Sequence, residues 1–119
     1  MSKPAGPGTP GEEIVILVTA ASEQEAEKIG RALVEAGLVA CANILPRIRS
    51  IFFWDGRITE EHECLMLLKS RAGLFEDVAA KVKSLHSYSV PEIIALPIMR
   101  GSLDYLAWIR EVTSRPRSG

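Results

Sequence analysis

This sequence has few cysteines, a net charge close to zero and no long apolar runs. Its 119 residues include two cysteines and carry a formal net charge of -1. Because acidic and basic side chains nearly balance, the chain has no general attraction for a nucleic acid backbone or an anionic membrane surface. Apolar runs such as residues 14–18 and 65–68 are far shorter than the roughly 20 residues that a membrane-spanning helix needs. We therefore expect neither nucleic acid nor membrane as a partner.

Motifs that mark common enzyme classes are also missing. The sequence has no glycine-rich phosphate loop, no H-E-x-x-H metal motif, and no serine, histidine and aspartate set in a motif context. We expect a protein that is not an enzyme and that holds no organic cofactor.

The two ends of the chain differ in composition from its middle. Residues 1–12 are rich in proline and glycine, which predicts a disordered tail and not an export signal. Residues 114–119 are predicted to form a second disordered tail. Residues 13–113 then make one domain of a common single-core size. Without an export signal or a CxxC motif, we expect a cytoplasmic protein with reduced thiols.

The apolar pattern predicts an alternation of strands and helices. Glu13–Ala20 is an unbroken apolar run, typical of a strand covered on both faces. Ser22 and Glu25 form a capping box ahead of an amphipathic helix. Ser70 is predicted to cap a second helix. The apolar stripe of this second helix is Leu74, Phe75, Val78, Val82 and Leu85. A fourth strand over residues 92–99 and a short helix capped by Ser102 follow it.

A long hairpin lies between these helices. Asp55 followed by Gly56 is a strong signal for a two-residue type I′ turn, and it joins predicted strands over residues 38–54 and 57–69. Arms of about 15 residues at ~3.3 Å each extend roughly 50 Å, beyond the ~30 Å width of a domain of this size.

The order of elements predicts an α/β fold of the α+β type. It is a ferredoxin-like βαββαβ sandwich, whose antiparallel sheet has a long central hairpin and is followed by a short C-terminal helix. Apolar residues at consecutive positions of 64–68 point to both faces of this sheet, and Phe52, Phe53 and Trp54 lie near the hairpin tip. Such a surface would aggregate unless it packed on a neighbour, so we expect a closed homo-oligomer.

Several motifs together resemble those of the CutA family of divalent-cation tolerance proteins. They are VTA at 18–20, LVACANILP at 38–46, S-x-F-x-W-x-G at 50–56, E-x-L-M-L-L-K at 63–69, H-x-Y-x-VPEIIALPI at 86–98 and G-x-x-x-Y-L-x-W at 101–108. The resemblance implies a ferredoxin-like homotrimer with clefts at the subunit junctions. It also implies a function in copper and divalent-metal tolerance, with a metal ion or small ligand as partner.

The sequence departs from that family at four motif positions. Ser87 and Ser89 stand where the family usually has proline and often an acidic residue, so its H-P-Y-E motif lacks the carboxylate here. Phe52 stands where the family usually has tyrosine, and Arg57 stands where it usually has lysine.

Four residues are the predicted metal ligands: Cys41, His86, Glu92 and Glu63. A thiolate and an imidazole are the best soft and borderline pair in this chain, and they suit copper or another divalent ion. The resemblance also implies site residues at His86 and at Cys41, the cysteine of the family's AC motif. Each residue also has a simpler interpretation, since Cys41 could be a small buried hydrophobe and His86 could interact with the dipole of the preceding helix.

Other residues give weaker signals. Cys64 is expected to be buried. His62, Cys64 and Glu60 could share a strand face as ligands, but alternating polar residues near a hairpin tip are more typical of a solvated face paired with Arg47 and Arg49. Lys69 could be an anion anchor or could extend its amine to solvent.

Two alternative functions stay open at this point. One is a small-molecule signalling trimer like the PII proteins, which share the fold but need a long loop between the second and third strands. The other is a trimeric scaffold that binds proteins.

Overall fold

The computed structural model describes residues 12–114. The tails predicted at residues 1–12 and 114–119 lie outside this range, apart from Glu12 and Ser114. The described elements are the strands β1 (Glu13–Ala20), β2 (Cys41–Trp54), β3 (Arg57–Arg71) and β4 (Ile93–Pro97), and the helices α1 (Glu23–Glu35), α2 (Phe75–Leu85) and α3 (Leu103–Thr113).

The four strands form one antiparallel sheet in the order β2-β3-β1-β4. This order is that of a ferredoxin-like βαββαβ fold, so the predicted fold is confirmed. β4 is an edge strand that pairs on one side, with β1. Pro97 is therefore tolerated at its end, because an edge strand leaves one row of amides without a ladder partner.

The hydrophobic core lies between one face of the sheet and helices α1 and α2. Alternate residues of β1 and β3 point into it, as the period of two in a strand requires. A buried methyl-rich layer of this kind is the main source of folding free energy, at about 25 cal/mol per Å² of apolar surface removed from water. Its residues include Ile14, Ile16, Val18, Met66 and Leu68 from the sheet, and Ile29, Leu33, Val78 and Val82 from the helices.

The start of α1 confirms Ser22 as the cap, but Glu25 reaches one residue beyond the cap, to Ala21, instead of to Ser22 itself. The Ser22 hydroxyl accepts a hydrogen bond from the Glu25 amide at 3.1 Å, which satisfies one of the free amides of the first turn. The Glu25 carboxylate reaches back to the amide of Ala21, also at 3.1 Å.

The predicted cap of the second helix is wrong. Ser70 lies inside β3 and is fully buried, and its hydroxyl donates to the carbonyl of Leu38 at 2.6 Å. The helix begins only at Phe75, after a 3₁₀ turn over Ala72–Leu74, and has no side-chain cap. Serine next to an apolar stripe is a cap signal only if the strand has already ended, and here β3 continues through Arg71.

The hairpin of β2 and β3 extends beyond the rest of the domain. The protein measures 53 × 29 × 21 Å, which agrees with the predicted length. Asp55 and Gly56 both have positive φ, at 52° and 79°, as a type I′ turn requires. A bulge interrupts the ladder where Leu45 pairs with Leu65 but Ile48 pairs with Glu63.

The second face of the sheet is covered at one end by α3. Arg110 of this helix forms an ion pair with Glu13, and Arg71 donates to the Thr113 hydroxyl at 2.9 Å. The rest of this face stays open, with Leu45, Ile94 and Leu96 between 41% and 52% exposed. None of the described helices is long and apolar enough to span a membrane.

Candidate functional site

A cleft of about 630 Å³ opens on this second face, beside the base of the protruding hairpin. The hairpin forms one wall, and the segment between α2 and β4 forms the other. The carboxylates on its walls belong to Glu61, Glu63 and Glu92, and the aromatic rings belong to Phe52, Trp54 and Tyr88.

Tyr88 and Glu63 join the two walls of the cleft. The Tyr88 hydroxyl donates to Oε2 of Glu63 at 2.9 Å. Burial, followed by the hydrogen bond to Glu63 and the charge of its carboxylate, raises the pKa of Tyr88 far above its usual range. The phenol therefore keeps its proton and remains a donor to Glu63.

His86 lies behind this wall with its side chain fully buried. Its Nδ1 accepts a hydrogen bond from the Tyr88 amide at 3.0 Å, and its Nε2 lies 2.7 Å from the carbonyl oxygen of Thr19. An amide only donates and a carbonyl only accepts, so the neutral ring carries its proton on Nε2. Both ring nitrogens are therefore engaged with the backbone.

Glu25 holds the same segment from the side of α1. Its Oε2 accepts from the Ser87 amide at 2.9 Å, and its Oε1 lies 3.8 Å from Nδ1 of His86. Burial alone would raise the pKa of Glu25, but hydrogen bonds from Ser87 and Ala21 and the charge of His86 outweigh it and lower that pKa. The loop that carries Tyr88 is thus fixed to both α1 and β1.

Cys41 lies at the other end of the sheet. Its cross-strand partner is Lys69, and its thiol is 3.6 Å from Oδ1 of Asn43, which also accepts from the Lys69 amine. Burial, followed by the charge of Cys41 and a hydrogen bond with it, raises the pKa of Tyr105. Cys41 is partly exposed, whereas Cys64 is buried as expected.

The predicted ligands fall into two groups within one chain. Glu63, Glu92 and His86 lie at or behind the cleft, but Cys41 does not. Along β3, six residues separate Glu63 from the partner of Cys41, which is about 20 Å at ~3.3 Å per residue. Within residues 12–114, no three side chains of histidine, cysteine, aspartate or glutamate are grouped so that they could hold a metal ion.

The outer part of the hairpin has the solvated face that the sequence favoured. His62 is exposed, and Arg49 forms an ion pair with Glu60 at 2.7 Å. Both partners are about half exposed, so this pair contributes little to stability.

The sequence did not identify the cleft itself. Glu61 was not singled out as a site residue, and Phe52 and Trp54 were expected at a subunit contact; all three line the cleft with Ser89. The bulge is the reason, because β2 gains one residue relative to β3 between Leu45 and Ile48. Even-numbered residues of β2 therefore face the core before the bulge and the cleft after it.

Comparison with known proteins gives a consistent set of matches. The family described as CutA1 divalent ion tolerance protein matches residues 14–112. The chain is 48% identical over 101 residues to the divalent-cation tolerance protein CutA of Thermus thermophilus, covering 85% of this chain and 98% of that protein. It is 43% identical over 104 residues to protein CutA of Homo sapiens, covering 87% of this chain but only 58% of the human protein.

Solved structures agree with these matches. The periplasmic divalent cation tolerance protein CutA from Archaeoglobus fulgidus superimposes with a TM-score of 0.83 at 44% identity, covering 85% of this chain and 98% of that one. CutA1 from Oryza sativa gives a TM-score of 0.84 at 36% identity, covering 87% and 95%. The names of these four proteins refer to ion tolerance or to the family alone, and none denotes a catalytic activity.

Proposed function

The chain belongs to the CutA1 divalent ion tolerance family, and from this we propose that it is a non-enzymatic homotrimer that binds copper or another divalent metal ion. In this role it contributes to the response of the cell to metal ions. We propose a cytoplasmic location, in which Cys41 stays reduced and available as a ligand.

Assembly is supported by the apolar surface that one chain leaves open. At the hairpin tip, Phe53 and Ile58 are paired across the strands and are 72% and 76% exposed. A separate apolar patch lies on the open part of the sheet next to β4, at Ile94 and Leu96. Large exposed apolar patches are unusual on a monomer and typical of a subunit interface.

One observation carries the proposal of a metal site shared between subunits. Cys41 is the partly exposed thiol of the two and lies at the start of β2, while Glu63, Glu92 and His86 lie at or behind the cleft, about 20 Å away along the sheet. A thiolate and the remaining ligands can therefore meet only if they come from different copies of the chain. Three ligands or fewer would leave an open coordination position, which suits a sensor or buffer more than a structural metal.

His86 has a particular position in this proposal. To bind a metal through Nδ1 it must release the Tyr88 amide, and through Nε2 it must release the Thr19 carbonyl. Cys41 can bind a metal ion without breaking a hydrogen bond to the backbone, so it is the first residue to test.

The experiment measures Cu(I) and Zn²⁺ affinity of the purified metal-free protein by competition with a chromophoric chelator. We expect Cys41→Ser and His86→Ala each to weaken binding at least about tenfold, as loss of a ligand or its support does, and His62→Ala to leave it unchanged. Loss in His62→Ala with retention in His86→Ala would place the site on the outer hairpin. No change in any of the three would exclude metal binding through these residues.

The two-residue turn argues against the PII-like alternative. Such a trimer uses a long loop between its second and third strands, whereas Asp55 and Gly56 alone connect β2 and β3 here.

A further inference from the structure

We infer that the cleft binds an organic ammonium compound, with the cation at Glu63 and its apolar part against Tyr88 and Val90. This inference goes beyond the proposed metal function, because it requires neither a metal ion nor the thiol of Cys41.

The first argument is the charge of the cleft. Glu61, Glu63 and Glu92 line it, and the described residues on its walls include no lysine, arginine or histidine. None of these three carboxylates takes part in the ion pairs found among residues 12–114. The cleft thus has negative charge on its walls without a paired cation from residues 12–114, and it favours a positively charged occupant.

The second argument is the state of the Glu63 carboxylate. Glu63 is only 8% exposed, and its one side-chain hydrogen bond within the described part of the chain runs from the Tyr88 hydroxyl to Oε2. A buried carboxylate is costly unless each oxygen finds a partner. Among residues 12–114, Oε1 has no hydrogen-bond partner and is not one of the fully buried oxygens, so it is open to solvent. An ammonium N–H bound in the cleft would supply it with a donor.

The third argument is the size and lining of the cleft. A volume of about 630 Å³ lies in the range of small-molecule sites and far exceeds a single ion. The aromatic rings of Phe52, Trp54 and Tyr88 line it together with Val90. Aromatic faces attract ammonium groups and also bury alkyl or aryl carbon.

The same features disfavour a bare metal ion here. A metal needs several ligand atoms within about 2.0–2.6 Å of one point, and the described carboxylates do not form such a group. Glu61 and Glu63 lie on the hairpin wall and Glu92 lies on the opposite wall, which suits a ligand with one cationic end and an apolar body.

The test is calorimetric titration of the purified assembled protein in excess EDTA, so that no metal contributes. The probe is 2-phenylethylammonium, and its neutral analogue 2-phenylethanol is the control ligand. We expect the ammonium probe to bind at least about tenfold more tightly than the alcohol. Equal affinities would overturn the inference, since the apolar wall alone would then explain binding.

Variants locate the site. Glu63→Gln keeps an acceptor for Tyr88 but removes the charge, and we expect an affinity loss of at least about tenfold. Glu60→Gln, on the same strand but outside the cleft, should change affinity less than about twofold. Val90→Ala should weaken the probe by about threefold, with the oligomeric state checked by light scattering.

Three further results would overturn the inference. The first is probe binding unaffected by Glu63→Gln. The second is a cleft that takes up Mg²⁺, Mn²⁺ or Zn²⁺ without EDTA but no ammonium probe. The third is a crystal structure of the assembly in which lysine or arginine of a neighbouring copy pairs with Glu63. Because the titration excludes metal, its failure leaves the metal proposal intact, and loss of metal binding leaves this inference intact.

Discussion

The hydroxyl of Tyr88 donates a hydrogen bond of 2.9 Å to the carboxylate of Glu63, and this single contact joins the loop before β4 to the middle of β3. We expect Tyr88→Phe to lower the free energy of unfolding by about 1–3 kcal/mol, because the buried acceptor loses its donor. The measurement is urea unfolding at one fixed protein concentration. Tyr105→Phe, at a residue 43% exposed, is the matched control and should cost less than about 0.5 kcal/mol. Similar losses in both variants would contradict this prediction.

Glu25 should make stability depend on pH in the acid range. Its folded-state pKa lies below the reference value of 4.5, so folding favours the ionised form. The stability that it contributes is fully present above pH 4.5 and is lost as the pH falls through the lower folded-state pKa. We therefore expect Glu25→Gln to destabilise the protein at pH 7, and to do so much less at pH 3. The measurement is unfolding at several pH values.

The control for this experiment is Glu27→Gln. Glu27 lies on the same helix, but it is exposed and pairs with Arg31 on the surface. We expect it to change stability by less than about 0.5 kcal/mol at both pH values. A pH-independent effect of Glu25→Gln would show that its carboxylate is not stabilised in the folded state.

Assembly should depend on apolar residues of the hairpin and the open sheet face. We expect Phe53→Lys and Leu67→Lys to shift the mass measured by light scattering after size exclusion from trimer toward monomer, because an interface core excludes unpaired charge. Glu60→Lys, on the solvated face of β3, should keep the trimer. A monomer mass for the unmodified chain at micromolar concentration would disprove the trimer, and equal effects of all three changes would show that the hairpin is not buried in assembly.

The hairpin turn offers a prediction that involves backbone conformation alone. Gly56 has a φ of 79°, and a Cβ added there meets nothing within 4 Å. Gly56→Ala should therefore cost about 1–2 kcal/mol purely through the left-handed conformation. Gly56→Asn should recover most of this loss, since asparagine tolerates that region. Chemical unfolding of the three proteins under identical conditions decides, and equal stability of all three would contradict it.

The fold could be predicted because local signals and global topology agree. The capping residues Ser22 and Glu25, and the Asp55–Gly56 turn, act within a few residues of themselves, so the sequence shows them directly. The cap at Ser70 failed for a tertiary reason. Its hydroxyl contacts Leu38, 32 residues away, and no local pattern reveals such a contact.

The candidate site was harder to predict, since it depends on which residues share a face. His86 was expected as a ligand from its residue type, but its hydrogen bonds to the backbone of Tyr88 and Thr19 follow from the path of the loop across β1. Likewise, the separation of Cys41 from Glu63 follows from strand register, which includes the bulge between Leu45 and Ile48.

The bulge in β2 reverses the face of the sheet to which the even-numbered residues of this strand point. Arg47, with a φ of 60°, lies at this point, and the extra residue decides on which side of the sheet Phe52 and Trp54 emerge. Deleting one residue here would turn both rings away from the cleft and bring Ile51 and Phe53 to it in their place. Two hairpins of nearly identical composition can therefore present different side chains to the same cleft, and the length of this short segment decides which ones.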